Sequence, residues 1–225
     1  MALQQFIAIC AASAAFALAS PAAAKIIDQT EQGFTSAHSA RVAASPDEVW
    51  TMLRMPQKWW SKAHSWSGDA ENFWLDSQAG GCFCEKLPDS GGGMGSVKHA
   101  EILFAKPGSL LRLSGALGPL QGEALKGTLT IQIKPEDGGS RIRFDYVVGG
   151  YMRFDPKEIG PAVDNVIGEQ LRGLAAALGG ALPPAAADEE GGEGKAEALD
   201  KSDKEQAVSP LDTVAADLRG DRGEE

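Results

Sequence analysis

Three histidines, a closely spaced cysteine pair and a group of tryptophans are the side chains in this sequence best suited to chemistry. His99 and Glu101 stand two apart in a segment, 96–105, that alternates like a strand, so both fall on one face. A histidine and a carboxylate so placed can work as an acid–base pair or orient the polar head of a ligand. On the competing reading Ala100, Ile102 and Phe104 make the core face, and His99 and Glu101 look into water. His64 lies within Trp59-Trp60-Ser61-Lys62-Ala63-His64-Ser65-Trp66. Trp59, Trp60, Trp66 and Trp74 can form an aromatic lip over an apolar ligand, or can simply seal short helices onto a sheet. Tyr146 completes the candidate set from a later strand, and His38 shares a strand face with Phe34 and Val42.

Cys82 and Cys84 flank Phe83. On a flat strand their Cα atoms would lie roughly 6.5 Å apart, near the upper limit for a disulfide. Bridged, or reduced as two small apolar side chains, are the two readings. No Cys-x-x-Cys and His-x-x-x-His pattern accompanies them, so no metal is expected. No Gly-x-Ser-x-Gly elbow is present, and Gly91-Gly92-Gly93-Met94-Gly95 lacks the Gly-Lys-Ser/Thr of a phosphate loop. No catalytic constellation and no cofactor are therefore assigned. Arg112, Arg141 and Arg143 alternate with apolar neighbours and should face solvent; one inside a cavity would point to an acidic ligand head.

The elements that must position these residues begin at 34, where Phe34–Val42 alternates as a strand. Ser45-Pro46-Asp47-Glu48 is a capping box with proline at the first helical position, and Val49, Trp50 and Leu53 supply a short apolar stripe that Pro56 ends. Pro56–Trp60 starts a second short helix. Strand candidates follow at 81–86, 96–105, 110–117 and 125–134, and Glu136-Asp137-Gly138-Gly139 turns the chain into Ile142–Val148. Asp155-Pro156-Lys157-Glu158 opens a long helix with Ile159, Val163, Val166, Ile167, Leu171, Leu174 and Leu178 on one side. Pro161 either kinks that helix or is its true first position, and Gly179-Gly180 ends it.

The two ends differ in character from this middle. Phe6–Ala19 is an apolar run followed by Ala22-Ala23-Ala24, which reads as a cleaved secretory signal over 1–24, although Met1–Gln5 holds no Lys or Arg. The run is shorter than the ~20 residues a bilayer span needs. The expected location is therefore periplasmic, without a membrane-spanning segment. Residues 181–225 hold 13 acidic and five basic residues, which is −8 of the chain's −10, and contain no aromatic residue. That composition predicts a disordered acidic tail with one helical stretch, Leu211–Leu218, able to meet a protein partner. The remaining part is nearly neutral and has no basic stripe, so nucleic acid is not an expected partner. The division is thus a signal at 1–24, an extension at 25–33, one domain at 34–180 and a tail at 181–225.

The order of elements predicts an α+β helix-grip fold, a curved antiparallel sheet wrapped around a long C-terminal helix. Ser45-Pro46-Asp47-Glu48-Val49-Trp50, Trp59-Trp60-Ser61, Gly80-Gly81-Cys82-Phe83-Cys84-Glu85, Leu111-Arg112-Leu113 to Gly118-Pro119-Leu120, and Val148-Gly149-Gly150-Tyr151 resemble the START-related SRPBCC superfamily. Exported bacterial members of its polyketide-cyclase-like or heat-shock-ATPase-activator-like branch look most similar. The resemblance spans about residues 34–178. It implies a mostly apolar cavity between sheet and helix and a hydrophobic small-molecule ligand of lipid, quinone or polyketide kind. Alternatives are a cyclase- or aromatase-like enzyme using cavity acids and bases, or an interaction module acting through the acidic tail. A fold alone does not choose among them.

Overall fold

A computed structural model describes residues 26–182. The signal expected at 1–24 and the tail with its Leu211–Leu218 stretch lie outside the described residues. β1 (Ile26–Thr30) and β2 (Gly33–Val42) pair as a hairpin, so a strand occupies the segment read from sequence as an extension. Only Ile26 and Ile27 are apolar there, and the strand lies at the sheet edge with most of its residues exposed. Such a strand carries almost no alternation to read.

α1 (Pro46–Leu53) follows its capping box, with Glu48 N–H donating to Ser45 Oγ and Ser45 N–H to Glu48 Oε2. Its stripe of Val49, Trp50 and Leu53 is buried. Three 3-10 turns then lead to β3 (Phe73–Leu75), and Pro56–Lys58 is the first of them. β4 (Cys82–Leu87), β5 (Gly95–Lys106), β6 (Leu110–Ser114), β7 (Ala124–Glu136) and β8 (Gly139–Tyr151) form a meander, and α2 (Pro156–Ala177) closes the chain. The single sheet has the order β1-β2-β8-β7-β6-β5-β4-β3 with every pairing antiparallel. It curves around α2, giving the helix-grip arrangement.

α2 starts at Pro156, capped by Asp155, and Pro161 lies inside it. Two of its sides have different tasks. Val163, Ile167, Leu171 and Leu174 are buried apolar residues facing the core. Gly160, Asp164 and Gly168, spaced by four, form a narrow stripe against β2. A Cβ on Gly168 would come within 2.8 Å of His38 Cε1, and one on Gly160 within 3.4 Å of Phe34 Cγ. Small residues there let the helix sit close to the strand. Gly179 (φ 94°) and Gly180 (φ 106°) take the left-handed conformations that end the helix.

Two irregularities in β5 decide which side chains face the core. β4 pairs Phe83 with Ala100 and then Cys84 with Lys98, leaving His99 as an extra residue. Through this bulge both His99 (5% exposed) and Ala100 (4%) are buried. Strict alternation, which put His99 on the face opposite Ala100, is corrected by it. A second bulge pairs Ile102 with Leu113 and Phe104 with Arg112, leaving out Leu103. Phe104, assigned to the core by alternation, is 48% exposed as a result. Cys82 and Cys84 are joined by a disulfide, with a Cα separation of 5.5 Å where a flat strand would give about 6.5 Å. The register irregularity between Phe83 and Cys84 accompanies this closer approach.

Candidate functional site: a cavity under the long helix

A cavity of about 300 Å³ opens between α2 and the sheet. Ile159, Val163, Val166 and Ile167 of α2 form one wall, and Leu117, Gly118 and Pro119 form another. Trp60 and the segment Ala63–Trp66 form a third, and His99 reaches in from β5. The volume is at the small end of the range for ligand pockets, and the lining is predominantly apolar.

Among the described residues His99 is the one polar side chain that the sheet supplies to this lining. Its Nε2 lies 2.9 Å from Glu85 Oε2, and both residues are buried. Phe73 and Phe83 pack against its ring at centroid distances of 5.2 and 5.1 Å. Glu85 Oε2 also accepts from Trp66 N–H at 3.1 Å, and Oε1 accepts from Ser67 N–H at 2.5 Å. Burial pushes the Glu85 carboxyl up, but the hydrogen bonds from Ser67, Trp66 and His99 outweigh it and hold the group below the usual carboxylate range. Burial likewise pushes the His99 imidazole below its ordinary value, and the attraction of Glu85 only partly opposes this. The pair is therefore a neutral imidazole beside a carboxylate. Glu85 has only acceptors to offer, so the His99 proton sits on Nε2 and Nδ1 carries a bare lone pair. Among the described residues Nδ1 has no hydrogen-bond partner, and it is not a fully buried atom, on a residue that lines the cavity.

The loop over the cavity is tied at both ends. Ser61 N–H donates to the buried Gln170 Oε1 at 2.9 Å, and His64 Nε2 lies 3.0 Å from Glu169 Oε2, both partners being on α2. Hydrogen bonds from Ser61 and then His64 hold the Glu169 carboxyl below its ordinary range. Trp60 Nε1 donates to His64 O at 3.1 Å. At the far end Glu85 holds Trp66 and Ser67. One carboxylate thus fixes both the cavity histidine and the loop that covers it.

Trp60, His64, Trp66 and His99, of the candidates named from sequence, come together around this cavity. Trp66 is 57% exposed at the mouth. The other four do not line it. Trp59 is buried edge-on against Trp60 and Phe144, with Nε1 donating to Met52 O. Trp74 stands opposite Cys84 in the β3–β4 register and alternates away from the buried Phe73. Glu101 pairs with Lys98 at the surface at 3.2 Å, so the partner of His99 is Glu85 instead. Tyr146 is buried, its hydroxyl donating to Gly115 O and accepting from Leu117 N–H, both at 3.0 Å. Burial pushes its phenol far above the usual range, so it stays neutral and holds the loop that carries Leu117 to Pro119. Arg112 and Arg143 are exposed on the sheet, and Arg141 pairs with Glu136.

Sequence reasoning missed Glu85, whose one signal was its alternation with Phe83. It also missed a second, part-buried pair between α2 and β2, where the buried Asp164 Oδ1 accepts from Ser36 Oγ at 2.6 Å and lies 2.9 Å from His38 Nε2. Among the described residues no group of three or more His, Cys, Asp or Glu side chains is placed to hold a metal ion, and no helix is long and apolar enough to cross a membrane.

No family model matches this chain, and no curated protein does. Solved structures do. A protein of Rhizobium loti is 20% identical with a TM-score of 0.47, covering 64% of this chain and 96% of its own. The Aha1 dimer from Colwellia psychrerythraea is 16% identical with a TM-score of 0.41, covering 64% and 95%. CalU16 from Micromonospora echinospora is 16% identical with a TM-score of 0.40, covering 64% and 77%.

Proposed function

We propose that this protein binds an apolar small molecule in the cavity under α2, as a carrier or receptor. The observation that carries the reading is the combination of aliphatic walls from α2 with one buried, oriented histidine. Apolar walls supply binding energy at about 25 cal/mol per Å² of apolar surface removed from water, and a single polar group fixes orientation. The signal-like residues 1–24 and the Cys82–Cys84 bridge support an exported, periplasmic protein, because disulfides persist in oxidising compartments.

Native mass spectrometry of the protein purified from its own host, with organic extraction, tests the reading. A co-purifying apolar molecule supports it. Titration with an anilinonaphthalene dye is the second arm. Uptake that disappears in Val166→Trp, a change that fills the cavity, is the expected result. Dye uptake indifferent to that change, with no co-purifying molecule, sinks the proposal.

The His99–Glu85 pair favours a second reading, proton abstraction from a bound substrate by an imidazole whose proton a carboxylate holds on the far nitrogen. Recovery of a chemically altered ligand after incubation would move the assignment from carrier to enzyme.

A further inference from the structure

We propose that the ligand carries a neutral O–H donor, a hydroxyl or phenol, and that His99 Nδ1 accepts its hydrogen bond inside the cavity. This rests on the binding reading above and names the chemical class that the cavity selects.

The argument is one of unmatched valence. Glu85 already accepts from two backbone N–H groups and from His99 Nε2, so it behaves as a carboxylate and fixes the tautomer. The remaining nitrogen of His99 is an acceptor without a partner among the described residues, on a side chain that lines the largely aliphatic cavity. An acceptor that loses water without gaining a donor costs about 1–3 kcal/mol. A purely hydrocarbon ligand that displaced water from Nδ1 would incur that loss, whereas a ligand O–H would remove it. A carboxylate head group is disfavoured. It brings no proton for Nδ1, the buried negative charge of Glu85 lies directly behind the ring, and no Lys or Arg among the described residues lines the cavity. His64 also lines the cavity, but it stands nearer the mouth with its side chain 31% exposed, where water competes for its hydrogen bonds. Selection therefore belongs to the buried histidine.

The experiment compares para-butylphenol with its methyl ether, para-butylanisole, by isothermal titration of the full chain at neutral pH. The two probes have nearly the same apolar body and differ in one donor. The phenol is expected to bind roughly three- to tenfold tighter, the net value of one hydrogen bond. In His99→Phe the phenol should lose its advantage over the ether. His99→Phe removes a partner of buried Glu85 and can fail to fold, so a pH titration of the unaltered protein is the second measurement. The preference for the phenol should vanish in acid below pH 6.5, as Nδ1 takes up a proton and stops accepting. Equal affinities at neutral pH overturn the inference and leave the cavity reading standing, while a preference that survives in His99→Phe or in acid overturns the role of His99. Failure of both probes to bind removes the cavity reading and this inference with it.

Discussion

Two histidine–carboxylate pairs, one buried and one part-buried, stand on two flanks of the same helix. His99–Glu85 joins β5 to β4 and opens onto the cavity, and His38–Asp164 joins β2 to α2 behind it. The contact distance is 2.9 Å in both. What separates them is the surroundings. Around His38 the helix is reduced to glycine so that it can close on the strand, and Ser36 takes a share of the same carboxylate oxygen. Around His99 the helix presents aliphatic side chains at a distance and leaves a void. A histidine–carboxylate pair is therefore a fastening in one place and the floor of a site in the other, and helix stand-off decides which.

The comparison breaks most sharply at Asp164. Asp164→Ala leaves the buried Ser36 Oγ and the part-buried His38 without their acceptor, and urea denaturation should show a loss of about 3 kcal/mol with ligand affinity of the folded protein unchanged. Lost binding at unaltered stability would reverse the two roles. Glu85→Gln should cost about 2 kcal/mol, and it should speed hydrogen exchange at the Trp66 and Ser67 amides. Unchanged exchange there would separate the loop from the cavity histidine. Gly168→Ala places a methyl group against the His38 ring and should cost about 1–2 kcal/mol without affecting the cavity.

Acid should distinguish the contributions within the cavity pair. The folded pKa of His99 is depressed below 6.5, so its stabilising contribution is complete above pH 6.5 and is lost as pH falls below that value. The folded pKa of Glu85 is depressed below 4.5, so its contribution is complete above pH 4.5 and is lost as pH falls further. Denaturant midpoints measured from pH 8 to pH 3 should fall in that order, and His99→Phe should lack the first step. The smallest effect belongs to Glu101→Gln, which opens an exposed ion pair and should change stability by less than about 0.5 kcal/mol.

Most of the architecture was legible because its signals are local. The Ser45–Glu48 box, the Glu136–Gly139 turn and the apolar stripe from Ile159 to Leu178 each specify an element within a few residues. The cavity lining was legible in part, since Trp60, His64 and Trp66 come from one short stretch. Its floor was not. Alternation cannot foresee a bulge, and one extra residue at His99 changed both its face and its partner from Glu101 to Glu85. Tyr146 was recognised as a strand residue, but its task of holding the Gly115–Leu117 loop depends on a contact about 30 residues away in sequence. Asp164 gave no cue at all, because its partners lie 126 and 128 residues earlier in the chain.

The pairing of β2 with β8 has a consequence in time. Its partners, from Val42 with Ser140 to Gly33 with Gly149, lie 98 to 116 residues apart. A ribosome adding roughly 5–20 residues per second needs about 5–23 s to make the second strand after the first. Through that interval β2 can pair only with β1, and the surface that will receive α2 has no helix to meet. The meander from β4 to β8 joins strands that are neighbours in sequence and can assemble as it is made, whereas the N-terminal hairpin must wait for the chain to return to it. Synthesis thus delivers the first two strands early and the means of burying them last.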